Sequence, residues 1–394
     1  MALRPAFLSA LLLGVPASAP PAAGDDGAAA AITGRLEGIR AKAKLPALGG
    51  AIVTSAGLEG AWVTGLRAEG HPEPVELGDR WHIGSCTKSM TATLIALLVE
   101  RGDLDWEMKL PELLPDLAAS MHDGYVDVTL VELLCHRAGV PADLGRDGLW
   151  SRCWRREGTH VEQRRMLART VLGWGPVHAP RAKYLYSNAG IAIAGHAAES
   201  VAGRPFEELM QELLFEPLGI TTAGFGAPGT TTSVDQPRGH GGDGRPVEPG
   251  PQADNPPAIA PAGTCHLSLA DWGRYASLHL RGAKGDVKVG EITLRAETTA
   301  RLHAPYAGPG ERYAMGWGVA RRDWAGGDGT VLTHNGSNTM WYSVIWMAPD
   351  PGFAVLVATN RVGTTGQEAT DAAAAMLIGE HRARTAARPQ PPAR

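Results

Sequence analysis

Short β-rich runs at both ends of this 394-residue chain, with a helical middle between them, constrain its fold most strongly. Between Gly49 and Leu66, two such runs flank the turn-prone pair Ala56-Gly57, which predicts a hairpin. After about Arg312, four runs predict further strands: YAMGWGVA, GTVLTHNG, WYSVIWMA and FAVLVATN. We therefore expect an α/β (α+β) fold in which the amino-terminal hairpin and the carboxy-terminal strands form one antiparallel sheet, with an inserted all-helical lobe beside it. Clefts between such lobes commonly bind ligands.

Capping and stop signals predict several helices in the middle of the chain. The run that begins at Ser85 is apolar throughout its second half and stops at Gly102, which predicts a buried helix with a glycine carboxyl cap. Later helices are predicted by Ser or Thr caps: Thr129 with Glu132, Ser187 with Asn188, and Ser268 with Asp271. The stretch 226–262 is crowded with Pro and Gly and is too long for an ordinary connection. We expect it to be a functional loop beside the active site.

The chain divides into a leader, one large domain and a tail. Arg4, an apolar stretch and the small residues Ala17-Ser18-Ala19 are typical of a secretory signal, so we expect 1–23 to direct export to the periplasm or the medium. The stretch is shorter than the roughly 20 residues that span a bilayer, so no stable membrane span is expected once the signal is removed. The expected domain, 24–381, has a sheet lobe at about 28–84 and 295–381, a helical lobe at about 103–294, and a flexible tail at 382–394.

Charge and cysteine content limit the partners of the chain. Removing the leader leaves 36 basic residues (37 minus Arg4) against 41 acidic ones, a net charge of −5, which does not favour nucleic acid. We therefore expect a small-molecule or peptide substrate, and the oligomeric state stays open. In an oxidising compartment the four cysteines could pair. Sequence does not fix the connectivity, and a bridge between Cys86 and Cys265 is the pairing we favour.

The central chemical signal is Ser85-Cys86-Thr87-Lys88. A serine in the first turn of a helix brings Lys88, three residues on, over the same face and within reach of the hydroxyl. Burial of the lysine would lower its proton affinity, so that it could accept the serine proton or keep a neighbouring base ionised. Taken alone, Ser-x-x-Lys is more often a chance surface pair. The apolar residues that follow Lys88 argue that its charge is held inside for a reason.

Tyr186-Ser187-Asn188 supplies a phenol and an amide just before a predicted helix. In isolation the motif fits a packed tyrosine with a helix cap. Beside Ser85 and Lys88, Tyr186 is instead a candidate general base and later acid, with its phenolate favoured by Lys88. Asn188 would then orient Lys88 and a substrate amide.

A third motif, His334-Asn335-Gly336-Ser337, lies at the end of a predicted strand. Because Gly336 carries no side chain, we expect a substrate to lie along that strand edge. The backbone N–H of Ser337, together with that of Ser85, could form an oxyanion hole. Without the other two motifs, His334 would be interpreted as a surface histidine.

Sequence signals for other classes of protein are weaker than these three motifs. The segment 224–229 matches G-x-G-x-x-G formally, but Pro228 and the lack of a following helix argue against a dinucleotide turn. His136, His240 and His266 lack the spacing of zinc ligands, and the chain has no H-E-x-x-H motif. There is no G-x-S-x-G elbow, which counts against the α/β-hydrolase fold. We expect neither a cofactor nor a metal.

The three motifs Ser85-x-x-Lys88, Tyr186-x-Asn188 and His334-x-Gly336, in this order, resemble those of the penicillin-recognising serine hydrolase family. That family includes class C β-lactamases, D-alanyl-D-alanine carboxypeptidases, D-aminopeptidases and related esterases. The resemblance runs from about residue 32 to 379. It implies a β-lactamase/transpeptidase-like fold and acylation of Ser85 followed by hydrolysis of the acyl-enzyme. It also implies Lys88 and Tyr186 as the proton-transfer pair, without assigning the acylation base to either, and Asn188 as a positioning group.

The third motif departs from class C β-lactamases, which usually carry Lys-Thr-Gly where this chain carries His334-Asn335-Gly336. A histidine there resembles the carboxypeptidases and esterases of the family. Because an unperturbed histidine loses its charge near pH ~6.5, we expect KM for carboxylate-bearing substrates to rise with pH more steeply than for neutral esters. The leading interpretation is a serine hydrolase of D-amino-acid peptides or small esters. A β-lactamase, or a penicillin-binding scaffold or sensor with little turnover, stays open as an alternative.

Overall fold

The computed structural model describes residues 26–308 and 311–387. The expected leader, 1–23, and the last part of the expected tail, 388–394, lie outside these residues. Within them, a sheet lobe and a helical lobe contribute to one continuous hydrophobic core, with a second cluster on the outer face of the sheet.

The strands and helices of the described residues have the following bounds. The strands are β1 Ala47–Thr54, β2 Gly57–Gly65, β3 Arg80–His82, β4 Gly224–Phe225, β5 Cys265–Ser268, β6 Val287–Val289, β7 Ile292–Leu294, β8 Gly318–Arg321, β9 Thr330–Ser337, β10 Tyr342–Ala348 and β11 Phe353–Thr359. The helices are α1 Asp26–Ala43, α2 Thr87–Arg101, α3 Leu110–Leu113, α4 Leu130–Leu134, α5 Leu149–Arg155, α6 His160–Trp174, α7 Asn188–Ala202, α8 Phe206–Met210, α9 Ala260–Gly263, α10 Leu269–Gly282, α11 Ala296–His303 and α12 Thr364–Ala387.

The main sheet has the strand order β2-β1-β11-β10-β9-β8, and neighbouring strands pair antiparallel. Ala51 of β1 lies opposite Leu356 of β11, and Val344 of β10 lies opposite Val357 of the same strand. The expected union of the amino-terminal hairpin with the carboxy-terminal strands is therefore confirmed.

Helices cover both faces of this sheet. Because successive strand residues point to opposite faces, Ile52 and Val355 pack with Leu377 of α12 in one cluster, whereas Ala51 and Leu356 belong to the core shared with the helical lobe. Sheets covered on both faces have strands that are apolar throughout. This explains why every residue of β11 is buried.

Helix α2 runs through the centre of the molecule. Its residues from Thr87 to Leu98 are all buried, as its uniformly apolar second half indicates. The helix ends at Gly102, which adopts the left-handed conformation (φ +86°) and donates its N–H to the carbonyls of the last turn. The helix predicted from Ser85 to Gly102 is thus present, preceded by a single 3-10 turn at Gly84–Cys86.

Three predictions, on the start of a strand, the lobe of a helix and the end of a helix, differ from the structure. The run YAMGWGVA is a strand only from Gly318, because Gly316 turns the chain (φ +78°) against the backbone of α2. Helix α10, expected in the helical lobe, packs on the sheet, and its Ser277 Oγ donates to Ser55 O at 3.1 Å. Helix α12 continues to Ala387, past the expected start of the tail at residue 382.

The disulfide expected between Cys86 and Cys265 is wrong. All four cysteines are free and buried. Cys86 Sγ donates to His334 O at 3.4 Å, and Cys265 Sγ contacts His266 O at 3.8 Å. Within the described residues, no helix is long and apolar enough to cross a membrane.

Candidate active site

Ser85 lies in a tight turn between strand β3 and helix α2. Gly84 precedes it with φ +49°, and a Cβ there would lie 2.2 Å from the backbone N of Ser337. Both the backbone conformation and the lack of space for a side chain therefore require glycine at this position. Thr87 Oγ1 donates to Gly84 O at 2.7 Å and fixes the start of α2. The turn leaves Ser85 partly exposed at the amino-terminal end of a buried helix, where a substrate can reach it.

Lys88 follows one helical turn later and is completely buried. Its Nζ lies 2.9 Å from Ser85 Oγ, 2.8 Å from Asn188 Oδ1 and 2.6 Å from Ala262 O. Burial lowers the pKa of Lys88 to about 7, against a smaller opposing effect of the nearby Cys86. A substantial fraction of the molecules therefore carries a neutral amine at this position near neutral pH.

Tyr186 approaches Ser85 from the loop that precedes α7. Its hydroxyl donates to Ser85 Oγ at 2.9 Å, and its ring lies 4.8 Å from Lys88 Nζ. The helix starts immediately afterwards, because Ser187 Oγ accepts the N–H of Gly190. Burial raises the pKa of Tyr186 well above its ordinary value, despite the hydrogen bond to Ser85. The expectation that Lys88 favours a phenolate is therefore wrong for the free protein, in which Tyr186 is a neutral phenol.

Asn188 is the first residue of α7 and is partly exposed. Its Oδ1 accepts a hydrogen bond from Lys88 Nζ, as the sequence led us to expect. The structure thus brings Ser85, Lys88, Tyr186 and Asn188 into one connected group.

His334 belongs to strand β9, and its imidazole does not have the expected charge state. Its Nδ1 lies 2.7 Å from Asn335 O, and its Nε2 lies 3.0 Å from Tyr313 Oη. Burial, with the nearby Lys88, lowers the pKa of His334 to about 3. The imidazole is neutral at physiological pH, which contradicts the charged histidine from which the pH dependence of KM for carboxylate-bearing substrates was expected.

Gly336 is needed for a reason that differs from the expected one. A Cβ at this position would lie 1.8 Å from Ile83 O and 2.8 Å from Ser343 Oγ. The position of the missing side chain is therefore filled by the backbone that leads into Ser85, not by space for a substrate. This close contact holds β9 directly against the turn that carries Ser85.

The edge of β9 beside this contact has no strand partner among the described residues. Strand β8 pairs only with residues 330–333 of β9, whereas β10 pairs with 332–337 on the other side. The segment from His334 to Ser337 therefore has one backbone edge that no described strand covers, and an exposed strand edge is what an extended substrate needs in order to add as a further strand.

Two contributors to the site could not be identified from the sequence. Ala262 supplies a backbone carbonyl to Lys88, and it ends the stretch 226–262 that we expected beside the site. Tyr313 supplies a hydroxyl to His334, and its ring packs 6.4 Å from that of Tyr186. A backbone carbonyl has no sequence signature, and Tyr313 lies in a run that we had interpreted as a strand.

The chain is similar to several known proteins. A family model described as Beta-lactamase matches residues 24–380. The chain is 29% identical to penicillin-binding protein 4 of Amycolatopsis lactamdurans over 288 residues, which cover 70% of this chain and 71% of that protein. It is 24% identical to an unguisins hydrolase of Aspergillus campestris over 308 residues, 74% of this chain and 54% of that protein, so it spans about half of that relative.

Among solved structures, the D-alanine carboxypeptidase AmpC from Burkholderia cenocepacia superposes with a TM-score of 0.70. The match covers 90% of this chain and 100% of that chain at 19% identity. At this identity the likeness concerns the fold alone, and it confirms the fold class expected from the sequence.

Proposed function

Because this chain belongs to the Beta-lactamase family of serine hydrolases, we propose that it cleaves amide or ester bonds through an acyl-enzyme on Ser85. One observation carries the proposal: Ser85 Oγ lies 2.9 Å from both Lys88 Nζ and Tyr186 Oη. A hydroxyl held between an amine and a phenol can lose a proton on one side while a leaving group gains one on the other.

In this proposal Lys88 is the base that activates Ser85. Asn188 Oδ1 and Ala262 O can only accept hydrogen bonds, so they take two N–H groups of Lys88. A neutral amine then directs its lone pair at the third neighbour, Ser85 Oγ. With its pKa lowered to about 7, Lys88 is suited to accept the serine proton near neutral pH.

Tyr186 acts as the acid in the same scheme. Ser85 Oγ bonds to the substrate carbonyl carbon, its proton passes to Lys88 Nζ, and the carbonyl oxygen becomes an oxyanion. When the oxyanion collapses, the bond to the leaving group breaks and the Tyr186 phenol supplies that group's proton. Lys88 returns a proton to Tyr186. A water then repeats the sequence on the acyl-enzyme, which releases the acid and restores Ser85.

The oxyanion is held by backbone donors in this proposal. Ser85 N–H and Ser337 N–H belong to two segments whose backbones touch at Gly84. Loss of one such donor typically costs about 3 kcal/mol of transition-state stabilisation. Asn188, whose Oδ1 is directed at Lys88, positions a substrate carbonyl through its Nδ2.

The character of the third motif favours uncharged substrates. The neutral His334 supplies no positive charge that could bind a substrate carboxylate at the third motif. The rings of Tyr184 and Tyr313, whose centroids lie 5.6 Å apart, form an aromatic surface near the nucleophile, and Tyr184 is exposed. We propose neutral esters and peptide amides as substrates ahead of β-lactams, which carry a carboxylate.

We also propose that the chain is exported. The basic residue, apolar stretch and small residues of 1–23 support this, and they lie outside the described part of the chain. Processing in a secreting host would give a mature protein whose mass lacks the leader.

A substrate panel tests the proposed function. Chromogenic neutral esters, a D-alanyl dipeptide whose carboxyl end is amidated and a cephalosporin are offered to the purified protein and to its Ser85→Ala variant. We expect Ser85-dependent turnover of esters or peptide, with the cephalosporin slowest. A stable penicillin adduct without turnover would instead assign a penicillin-binding protein, as the name of the Amycolatopsis relative suggests. Equal turnover by Ser85→Ala would contradict the proposal.

A further inference from the structure

We propose that His82, Asp254 and Asn338 form a buried bridge that sets the spacing of the two backbone donors of the oxyanion hole. His82 and Asp254 are then positioning residues, because they act through Gly84 and Asn338 without touching the substrate. This inference rests on the proposed function, since it concerns the oxyanion hole of the Ser85 reaction.

The first end of the bridge is His82, which is completely buried at the end of β3. Its Nδ1 accepts the N–H of Gly84 at 3.1 Å, so the ring controls the residue immediately before Ser85. Because Nδ1 accepts, the ring proton lies on Nε2. That atom lies 2.9 Å from Asp254 Oδ1, in an oblique contact that falls short of an aligned hydrogen bond.

Asp254 is the centre of the bridge and is 3% exposed. Besides the contact with His82, its Oδ1 accepts the N–H of Asn255 at 2.7 Å and the Nδ2–H of Asn338 at 3.0 Å. One carboxylate oxygen thus joins three segments: the turn of the nucleophile, the stretch 226–262, and the turn between β9 and β10. A carboxylate in the interior is costly, so its retention calls for an explanation.

The second end of the bridge is Asn338, which follows Ser337 at the start of the β9–β10 turn. Its Oδ1 accepts the N–H groups of Met340 and Trp341 at 3.2 and 3.1 Å. The turn needs this support, since Thr339 is held in the left-handed region at φ +74°. Asp254 therefore fixes the turn next to one oxyanion donor, while His82 fixes the turn next to the other.

The two donors meet between these ends. A Cβ at Gly84 would lie 2.2 Å from the N of Ser337, so the two backbones are in direct contact. Any relaxation of Gly84 or of the β9–β10 turn moves one donor relative to the other. Misplacement of a transition-state contact by about 1 Å can cost about 100-fold in rate.

The test compares single and double variants on p-nitrophenyl acetate. We expect His82→Ala and Asp254→Ala to lower kcat by about 10- to 100-fold with KM changed less than about 2-fold. Asp254→Asn keeps an acceptor oxygen for Asn338 and should retain most of kcat. Because both residues act through one bridge, the double alanine variant should be no slower than the slower single variant.

His196 offers a matched control. It is 4% exposed, and its Nδ1 lies 2.9 Å from the buried Glu199, which makes another buried histidine–carboxylate contact. It lies on α7, eight residues beyond Asn188 (196 minus 188) and so about 12 Å along the helix. His196→Ala should lower the melting temperature while kcat stays within about 2-fold of the wild type.

The outcomes separate this inference from the proposed function. Wild-type kcat in folded His82→Ala and Asp254→Ala, with an inactive Ser85→Ala, overturns the bridge and leaves the proposed function intact. The bridge is also overturned if the losses of kcat in the two single variants multiply in the double variant, or if the substitutions raise KM and leave kcat unchanged. If the alanine variants do not fold, His82→Asn decides, since its Oδ1 can still accept from Gly84 but its side chain is too short to reach Asp254. We expect a loss of kcat of about 10-fold, and an unchanged kcat contradicts the bridge.

Discussion

Lys88 is the residue on which the chemistry depends. A lysine side chain with no exposure is rare and normally needs a partner charge. Here the neighbours of its Nζ are a hydroxyl, a side-chain amide oxygen and a backbone carbonyl, all uncharged. Since no carboxylate of the described residues contacts Nζ, burial dominates and the pKa falls to about 7.

The first prediction concerns the pH dependence of turnover. The base form of Lys88 is present above its pKa and is lost as the pH falls through about 7. We therefore expect kcat/KM for a neutral ester to rise with pH around 7 and then to level off. The acid form of Tyr186 persists at high pH because burial raises its pKa. The profile is measured from pH 5 to 9 at constant ionic strength, and a profile that falls with pH would exclude Lys88 as the base.

The second prediction concerns stability. The folded pKa of Lys88, about 7, lies below its ordinary value of 10.5, so between these pH values the unfolded chain binds more protons and stability rises with pH. At lower pH the cost of burying the charged amine is fully present. The Lys88→Met substitution removes the amine and, with it, this pH-dependent contribution to the free energy of unfolding. From pH 6.5 to 9.5 we expect the wild type to gain about 2–3 kcal/mol of unfolding free energy relative to the variant.

Urea denaturation at the two pH values measures this difference. Lys42→Met, at an exposed position on α1, controls for the loss of one positive charge. A difference between wild type and Lys88→Met that does not change with pH would show that the amine keeps its proton in the folded protein.

At the residue scale the sequence predicted contacts better than charges. The approach of Lys88 to Ser85 follows from helical spacing, and the approach of Asn188 to Lys88 was expected from the motif Tyr186-Ser187-Asn188. The charge of His334 could not be predicted, because burial and the bond to Tyr313 depend on distant segments. The contact between His82 and Asp254 joins residues that lie 172 positions apart (254 minus 82), and no local pattern links them.

Among the elements, strand β9 determines how the two lobes meet at the nucleophile. It touches the turn of Ser85 at Gly336, and it presents a free backbone edge beyond residue 333. The predicted strand is therefore present and has an unpaired edge at residues 334–337, whereas the reason for its glycine is the contact with Ile83.

The third prediction tests this contact. Gly336→Ala would place a Cβ 1.8 Å from Ile83 O, so β9 and the nucleophile turn must separate. We expect a loss of about 2–4 kcal/mol in unfolding free energy and at least a 10-fold loss in kcat. Gly379→Ala is the control, since nothing lies within 4 Å of its Cβ in helix α12. There alanine should be neutral or stabilise by up to about 1 kcal/mol. Equal stability of the two variants would contradict the packing described for β9.

Capping signals predicted element starts accurately where the cap is local. Thr129 with Glu132 forms the expected reciprocal box, and Ser268 accepts the N–H of Asp271. Helices α1 and α6 were not predicted: α1 lies in an alanine-rich segment, and the Thr159 cap that starts α6 was overlooked. The break at Gly316 could not be foreseen, because it results from contact with α2.

For the whole molecule, stability comes from packing rather than covalent cross-links. The core of the helical lobe continues into the inner face of the sheet, and all four cysteines lie within that core as free thiols. Burial raises the pKa of Cys86 and Cys135 to about 12, which leaves these thiols unreactive in the folded state.

The fourth prediction follows from these buried thiols. A maleimide should label none of the four cysteines in the native protein and all four in denaturant, as counted by intact mass. The melting temperature should be the same with and without a reducing agent. A drop in melting temperature on reduction would indicate a disulfide and contradict the arrangement described here.

Labelling with a fluorophosphonate measures whether Ser85 is a nucleophile activated by Lys88. Attack by the serine oxygen on phosphorus expels fluoride and leaves one stable adduct, which peptide mass spectrometry locates. We predict a single adduct on Ser85, lost in Ser85→Ala, slowed at least about 100-fold in Lys88→Met, and unchanged in the control Ser277→Ala. An adduct at another residue, or labelling that persists in Ser85→Ala, would show that Ser85 is not the activated nucleophile.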